Sequence, residues 1–202
     1  MIYRIMLTLI FIGASTLAAD QEKSRILFQF DNADAAQHWN TVNDGVMGGR
    51  SDGRFRISKD KKMEFFGTLS LENNGGFASV RSRGTKLGLK NGESIIARVR
   101  GDGREYRINL YTPSRRTAFS YRASFQTRQD EWIEVSIPLA KFKATWFGRV
   151  VPNQPLDPVE VNGLGISLSD KKAGPFKLEV EWIKASTSAK PATTSKVESK
   201  RP

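Results

Sequence analysis

Apolar and polar residues alternate in short runs along most of the chain, and clusters of Gly, Asn, Asp or Pro separate the runs. Because successive side chains of a β-strand point to opposite faces, this pattern predicts strands with one buried face. The predicted strands are about ten in number, at residues 25–30, 55–58, 63–72, 76–82, 94–100, 104–112, 118–127, 131–137, 161–169 and 176–185. Residues 33–39 and 139–142 resemble short helical turns, and a parallel sheet would need longer crossover helices. The pattern therefore predicts an all-β fold, an antiparallel β-sandwich.

The same alternation predicts which side chains form the core. In the last strand, one set of side chains is expected to face the core and the other to face away. The core set is Phe176, Leu178, Val180 and Trp182, and the opposite set is Lys177, Glu179, Glu181 and Ile183. Trp39 and Trp132 are also expected in the core, as are Phe65, Leu69 and Leu71, because large apolar residues in such patterns are usually buried.

The two ends of the chain differ from the middle. The 202-residue sequence begins with a short basic segment and an apolar run, which is typical of a signal peptide at residues 1–18 with cleavage after Ala18. The apolar run is too short to span a bilayer, so no transmembrane span is expected in the mature chain. Residues 187–202 are polar and basic, with Val197 as the only hydrophobic residue outside alanine, which predicts a disordered tail. One domain, residues 19–186, lies between them.

Composition narrows the function classes. The sequence has no cysteine, which excludes disulfides and thiolate chemistry, and together with the signal-like start this predicts a periplasmic or secreted protein. The net charge is +11, which favours anionic partners.

Few residues suggest catalysis. His38 is the only histidine, so a Ser-His-Asp triad or a histidine metal site has little support. Glu179 and Glu181 have a spacing compatible with a glycosidase pair, although a solvated strand face is the favoured interpretation. Residues 31–34 fit either a calcium site or the cap of a turn. No phosphate-binding glycine motif is complete. We therefore predict a protein that is not an enzyme, with no cofactor and no metal.

One constellation of polar residues suggests binding. If the strands around Arg98, Arg107 and Arg122 are neighbours, their alternation places a cationic group on one sheet face. That group is Arg98, Arg107, Asn109, Tyr111 and Arg122. Such a face could bind a carboxylate, a phosphate, a sugar or an acidic protein segment, or it could be the solvated face of a sandwich.

Several ordered motifs resemble a known family. They are Trp39, the glycine-rich loop at 43–51, Phe66-Gly67-Thr68-Leu69, Gly76-Phe77-Ala78-Ser79-Val80-Arg81, Arg100-Gly101-Asp102-Gly103-Arg104-Glu105-Tyr106 and Gly174-Pro175-Phe176-Lys177-Leu178-Glu179. From Phe28 to Ala185 the sequence resembles the complex I intermediate-associated protein 30 domain. The resemblance implies a galactose-binding-domain-like jelly roll with no established catalytic activity or cofactor. Family members act in mitochondria as assembly factors for respiratory complex I, and the domain also occurs in plastid proteins connected with RNA.

The resemblance adds site candidates and partners. Among the matched motif positions, Asp44, Asp102 and Arg104 are the candidate functional polar groups, and the glycines are expected to build corners of the sandwich. The predicted role is a binding module for a protein partner, assisting assembly or folding of a complex. The alternative is a carbohydrate-binding module, with Trp146, Tyr111 or Tyr121 as an exposed stacking platform. Nucleic acid is not the expected partner.

Overall fold

The computed structural model describes residues 24–32, 34–114, 116 and 118–187. Within them, thirteen strands, β1 to β13 in chain order, form two antiparallel sheets packed face to face. The predicted signal peptide at 1–18 and almost all of the predicted tail lie outside the described residues. The all-β sandwich predicted from the sequence is confirmed.

Sheet A contains six strands and sheet B contains seven. Sheet A consists of β1 (Ser24–Gln29), β3 (Asp52–Ile57), β4 (Met63–Leu69), β6 (Ser94–Arg100), β9 (Trp132–Pro138) and β13 (Gly174–Ser186). Sheet B consists of β2 (Trp39–Thr41), β5 (Ala78–Ser82), β7 (Glu105–Tyr111), β8 (Phe119–Gln126), β10 (Lys143–Trp146), β11 (Arg149–Val150) and β12 (Gly163–Leu168). Short 3-10 turns lie at Ala35–His38, Asp44–Met47, Glu72–Asn74, Leu139–Lys141 and Pro158–Glu160.

The strand order explains how distant segments meet. Sheet A runs β3-β4-β13-β6-β9, and the long strand β13 pairs with β4 along its first half and with β1 along its second half. Sheet B runs β11-β10-β8-β7-β12-β5-β2. Each of the ten predicted strands corresponds to one observed strand, and the three that the sequence pattern missed are the short strands β2, β10 and β11.

The core lies between the two sheets and is built from the inward residues of nearly every strand. Its largest buried side chains include Phe30, Phe65, Tyr106, Leu164 and Ile166. Because β5, β7, β8 and β12 give one set of alternate side chains to this core, the other set of each strand points away from it. The outward surface of sheet B is therefore assembled from residues that are remote in sequence.

Two of the three tryptophans predicted in the core lie elsewhere. Trp39 is buried in the core as expected. Trp182 is only half-buried because a bulge between Val180 and Trp182 shifts the register of β13, so that Ile183 takes the core position instead. Trp132 lies on the outer surface of sheet A beneath cationic side chains.

Another predicted core residue is exposed. Strand β4 ends at Leu69, so the alternation predicted to continue through residue 72 stops there. Leu71 lies in the loop that follows and is exposed. The prediction that Leu71 belongs to the core is wrong for this reason.

The segment between β6 and β7 carries the chain from one sheet to the other. Gly101-Asp102-Gly103 joins β6 of sheet A to β7 of sheet B, so these two consecutive strands do not pair as a hairpin. This crossing separates Arg98 from the residues predicted to share its face. Among the described residues, no helix is long and apolar enough to cross a membrane.

Candidate binding face

Asp44 holds the glycine-rich loop after β2 in place. Its carboxylate is 0% exposed and accepts hydrogen bonds from the Ser51 amide at 2.8 Å, the Ser51 hydroxyl at 2.5 Å, the Gly76 amide at 2.6 Å and the Phe77 amide at 3.2 Å. Burial alone would raise the pKa of Asp44, but these donors together lower it below its ordinary value. All four donors point at the carboxylate from within the chain, so its role in this structure is to join two loops.

The glycines beside Asp44 allow this close packing. A Cβ atom at Gly75 would lie 2.6 Å from Oδ2 of Asp44, and one at Gly49 would also overlap the Asp44 side chain. Only glycine lets both segments approach the carboxylate so closely. This part of the motif therefore builds a corner, as was expected for the glycines.

Asp102 and Arg104 form a second structural cluster where the chain crosses between sheets. Asp102 accepts hydrogen bonds from the Tyr106 hydroxyl at 3.0 Å and the Lys177 amide at 2.9 Å. Arg104 forms a two-point ion pair with Asp170, with nitrogen–oxygen distances of 2.7 and 3.0 Å. The Arg104 and Asp170 side chains are 11% and 6% exposed. Arg104 also donates to the backbone carbonyls of Lys172, in the loop before β13, and of Pro175, at the start of β13.

The charges of this cluster stabilise one another. The hydrogen bond to Asp170 raises the pKa of Arg104. Burial by itself would raise the pKa of Asp170, but the Arg104 guanidinium and the Lys172 amide lower it overall. Arg104 is thus occupied in fixing the start of β7 against the loop that precedes β13.

Arg98 lies on the outer surface of sheet A, in a balanced array of charges. Its guanidinium is 2.6 Å from Glu181 and 3.7 Å from Glu134. The neighbouring Arg100 is 2.5 Å from Glu179. Arg54 and Arg56 on the same surface are likewise paired with carboxylates.

The other four residues of the predicted cationic group, Arg107, Asn109, Tyr111 and Arg122, lie together on the outward surface of sheet B. Asn109 on β7 lies opposite Arg122 on β8 and opposite Gly165 on β12, which in turn lies opposite Arg81 on β5. Paired residues in an antiparallel sheet point to the same side. We call this surface the arginine face and define it by Arg81, Arg107, Asn109, Tyr111 and Arg122.

The arginines of this face have no carboxylate partners. Among the described residues, Arg81, Arg107 and Arg122 lie beyond ion-pair distance of every carboxylate. Each donates one side-chain hydrogen bond, in every case to a serine hydroxyl: Ser79, Ser169 and Ser120 respectively. Because a guanidinium carries five N–H donors, most of the donors of this face have no partner within the described chain.

Tyr111 fills the middle of the arginine face. Its ring lies over the glycines of β12, where a Cβ atom at Gly165 would be 3.0 Å from the Tyr111 hydroxyl oxygen. The guanidinium of Arg81 lies over the same ring, 5.3 Å from its centroid, in a cation–π contact. The Tyr111 hydroxyl makes no hydrogen bond within the part of the chain that is described.

Burial and like charge together perturb this cluster. Burial lowers the pKa of Arg122, and the positive charges of Arg107 and Arg81 lower it further. Burial raises the pKa of Tyr111, partly offset by the nearby arginines. Desolvation and mutual repulsion of the positive charges oppose folding, and a bound anion would relieve that repulsion.

The rim of the face differs at its two ends. Near Arg107 it opens into a pocket of about 350 Å³. The lining residues are Glu105, Arg107, Gln126, Ser169, Asp170, Lys171 and Lys172. Beyond the other end, the β10–β11 hairpin exposes Trp146 and Phe147, with Trp146 48% exposed. Because Trp146 pairs with Phe119, it points to the side of sheet B opposite the arginine face.

Arg81 is the residue of the face that sequence reasoning missed. Val80 and Arg81 are consecutive in the predicted strand 76–82, so alternation places Val80 on the core side and Arg81 on the side that faces away from the core. Its position in the sheet depends on β12, which lies between β5 and β7 and comes from a distant part of the chain. The local pattern could predict the direction of Arg81 but not its neighbours.

The alternative sites take ordinary structural positions. Glu179 and Glu181 are paired with Arg100 and Arg98, and the Arg100 hydrogen bond lowers the pKa of Glu179, the opposite of what a general acid needs. His38 is exposed beside Asp34 at 3.5 Å. The described residues contain no group of three His, Cys, Asp or Glu side chains arranged to hold a metal ion.

The residues proposed for a sugar platform are separated. Tyr121 is buried, and its hydroxyl donates to the Pro155 carbonyl at 3.1 Å. Tyr111 lies under Arg81, so that face of its ring is covered. Trp146 is the exposed aromatic residue of the three.

Solved structures with a similar fold include carbohydrate-binding modules and an agarase. The family 11 carbohydrate-binding module from Clostridium thermocellum, solved with a β-1,3-1,4-mixed-linked tetrasaccharide, matches with a TM-score of 0.56 at 16% identity, over 80% of this chain and 94% of that chain. An agarase matches with a TM-score of 0.53 at 11% identity, over 84% of this chain and 25% of that chain. At these identities the likeness establishes the jelly-roll fold alone.

Curated relatives correct the predicted location. A mouse protein named complex I intermediate-associated protein 30, mitochondrial, is 30% identical over 80% of this chain, and a Drosophila melanogaster protein of the same name is 27% identical over 78%. The matches cover 56% and 61% of those proteins, so this chain spans little more than half of their length. Similar relatives from Caenorhabditis also carry the mitochondrial name. The prediction of a periplasmic or secreted protein is wrong on this finding, which points to mitochondria.

The family itself is established by a match over most of the domain. The family model described as complex I intermediate-associated protein 30 matches residues 28–180, which include nearly all of both sheets. The resemblance seen in the sequence motifs is confirmed. The chain belongs to the complex I intermediate-associated protein 30 family.

Proposed function

We propose that this chain is a non-enzymatic binding module that docks a protein partner on its arginine face and so assists assembly of a respiratory complex. The family and the names of its curated relatives support an assembly-associated role. The module-like fold supports binding as the activity. The arginine face supplies a surface on which such binding would take place.

The observation that carries the proposal is the contrast between the two outer surfaces. On sheet A, the arginines are paired with carboxylates. On sheet B, Arg81, Arg107 and Arg122 face outward without any such partner among the described residues. Departures from local stability rules are expected at functional sites, where the missing contacts come from a ligand. The missing carboxylates are therefore assigned to a partner.

Carbohydrate is the second candidate ligand, and the exposed Trp146 is the observation that favours it. An exposed aromatic ring can stack on a sugar ring. Trp146 pairs with Phe119, however, so such a site would lie on the side of sheet B opposite the arginine face. Against this, the two tyrosines nearer the face are covered or buried. The middle of the face presents guanidinium groups, which suit charged partners better than neutral sugars.

Genetic complementation tests the proposed role. Cells that lack the gene would receive the wild-type chain, an arginine-face variant with Arg81, Arg107 and Arg122 changed to Gln, or a control variant with Arg54, Arg56 and Arg98 changed to Gln. Both variants lose three positive charges, but the control loses them from sheet A. Native gel electrophoresis would measure assembled NADH:ubiquinone oxidoreductase.

We expect deletion to reduce the assembled complex, and wild-type and control chains to restore it. The arginine-face variant should fail to restore it although it accumulates to the wild-type level. If deletion leaves assembly unchanged, the assembly role is wrong. If the arginine-face variant restores assembly fully, the partner docks elsewhere.

A further inference from the structure

We infer that the arginine face binds an extended acidic segment of the partner, with carboxylates seated separately on Arg107 and Arg122. This inference rests on the proposed function and names the chemistry that the same face recognises. It follows from the spacing of the arginines, the donors left without partners and the covering of Tyr111.

The spacing of the arginines favours separate carboxylates. Asn109 pairs with Arg122, and Arg107 lies two residues along β7 from Asn109. Strand spacing and rise then place the Cα atoms of Arg107 and Arg122 about 8 Å apart. Alternate side chains of an extended peptide that point to the same side are about 7 Å apart, so two acidic residues separated by one other match this pair.

The third arginine extends the face across the sheet. Arg81 lies three strands from Arg122 by way of Gly165 and Asn109, or about 14 Å between Cα atoms. A single compact phosphate needs donors that converge on one point. Three arginines whose backbone positions span about 14 Å on four neighbouring strands can contact several anionic groups along a chain.

The N–H donors that Arg107 and Arg122 have left over suit carboxylates. Arg107 and Arg122 are each anchored to a serine through one nitrogen, which fixes the guanidinium and leaves other N–H groups for a ligand. A fixed fork of this kind can bind a carboxylate through two parallel hydrogen bonds. The Tyr111 hydroxyl, which has no described partner, can donate to a ligand between them.

Nucleic acid fits this face less well. Proteins that bind single strands combine cationic grooves with aromatic rings on which bases stack. The ring of Tyr111 lies between the backbone of β12 and the guanidinium of Arg81, so the ring face needed for stacking is covered. The face has the positive charge that nucleic acid needs, but among its described side chains no aromatic ring at the centre is open for a base to stack on.

Peptide binding tests the inference directly. A labelled peptide of alternating Glu and Ser would be compared with the same peptide carrying Gln in place of Glu, by fluorescence anisotropy with the full chain. Further probes would be a phosphoserine peptide, a short oligouridylate and a mixed-linked β-glucan oligosaccharide. The proteins would be wild type, the arginine-face variant and the sheet A control variant described above.

We expect the wild-type chain and the control to bind the Glu peptide and to bind the Gln peptide about tenfold more weakly or not at all. The arginine-face variant should lose about tenfold or more of its affinity for the Glu peptide. Equal affinity for Glu and Gln peptides, tighter binding of phosphopeptide, oligouridylate or oligosaccharide, or equal loss in both variants would overturn the inference.

The two experiments fail independently. If the arginine-face variant cannot restore assembly but the wild-type chain does not bind acidic peptides, the arginine face is still the docking surface, and the inference that it binds an acidic segment is wrong. If acidic peptides bind as expected but deletion does not affect assembly, the ligand stands and the assembly role is wrong. Circular dichroism of every variant would establish that each one is folded.

Discussion

Replacing Asp44 with Asn should destabilise the fold, because the carboxylate accepts four hydrogen bonds in a buried site. An Asn amide can place its oxygen toward only one side. The side with the Gly76 and Phe77 amides and the Ser51 hydroxyl would keep an acceptor. The Ser51 amide, 2.8 Å away on the other side, would then face an NH₂ group and lose its partner.

The expected cost is about 3 kcal/mol. Hydrogen bonds to a charged group contribute about 1.5–3 kcal/mol each and neutral ones about 0.5–1.5 kcal/mol, so weakening three bonds costs about 3 kcal/mol in total. The orphaned Ser51 amide adds to this cost, and the relief of burying a neutral group offsets part of it. For a domain of this size, the melting temperature should fall by about 6–12 °C.

Urea unfolding followed by tryptophan fluorescence would measure the change. The matched control is Asp52→Asn, since Asp52 is an exposed carboxylate paired with Arg54 and should cost less than about 1 kcal/mol. Because the pKa of Asp44 is lowered from 3.8, its contribution is complete above pH 3.8 and is lost as the pH falls through its folded value. The difference between wild type and Asp44→Asn should therefore shrink in acid. A difference below about 0.5 kcal/mol at neutral pH would refute a structural role for this carboxylate.

Three further substitutions test other parts of the account. Gly165→Ala places a Cβ atom 3.0 Å from both the Tyr111 hydroxyl oxygen and the Val80 carbonyl oxygen, so the Tyr111 ring should shift. We expect a loss of about 1 kcal/mol in urea unfolding and weaker binding of the acidic peptide. Unchanged peptide binding would count against a role for the ring position. Arg104→Lys keeps the charge but loses the two-point pair with Asp170, so the urea midpoint should fall by the equivalent of about 2 kcal/mol, and a midpoint equal to wild type would contradict the clamp. Arg122→Gln removes a desolvated charge that the neighbouring arginines repel, and this gain offsets the lost hydrogen bond to Ser120. The free energy of unfolding in urea at low salt should therefore fall by less than about 1 kcal/mol, or rise. A larger loss would mean that Arg122 stabilises the fold.

Local pattern was sufficient to predict much of the fold and part of the face. Alternation placed Arg107, Asn109 and Tyr111 on one side of β7 and Arg122 on the corresponding side of β8, because consecutive antiparallel strands in this region are also neighbours in the sheet. The same reasoning failed for Arg98. Its strand is next to β7 in sequence, but the chain crosses to the other sheet between them.

Other errors came from features that alternation does not encode. The bulge in β13 moved Trp182 out of the core without any break in the hydrophobic pattern. Arg81 entered the face through the pairing of β5 with β12, which joins segments far apart in the sequence. The hydrogen bonds of Asp44, Asp102 and Arg104 join loops that are far apart in the sequence, so local pattern could single out these residues but not their partners.

The most direct test of the central claim is an NMR titration that follows the arginine Nε–Hε signals while the Glu-Ser peptide is added to the full chain. We expect the signals of Arg81, Arg107 and Arg122 to shift until the protein is saturated with peptide, while those of Arg54, Arg56 and Arg98 on sheet A stay in place. Shifts confined to the sheet A arginines, or spread equally over both surfaces, would contradict the claim that the arginine face is the binding surface.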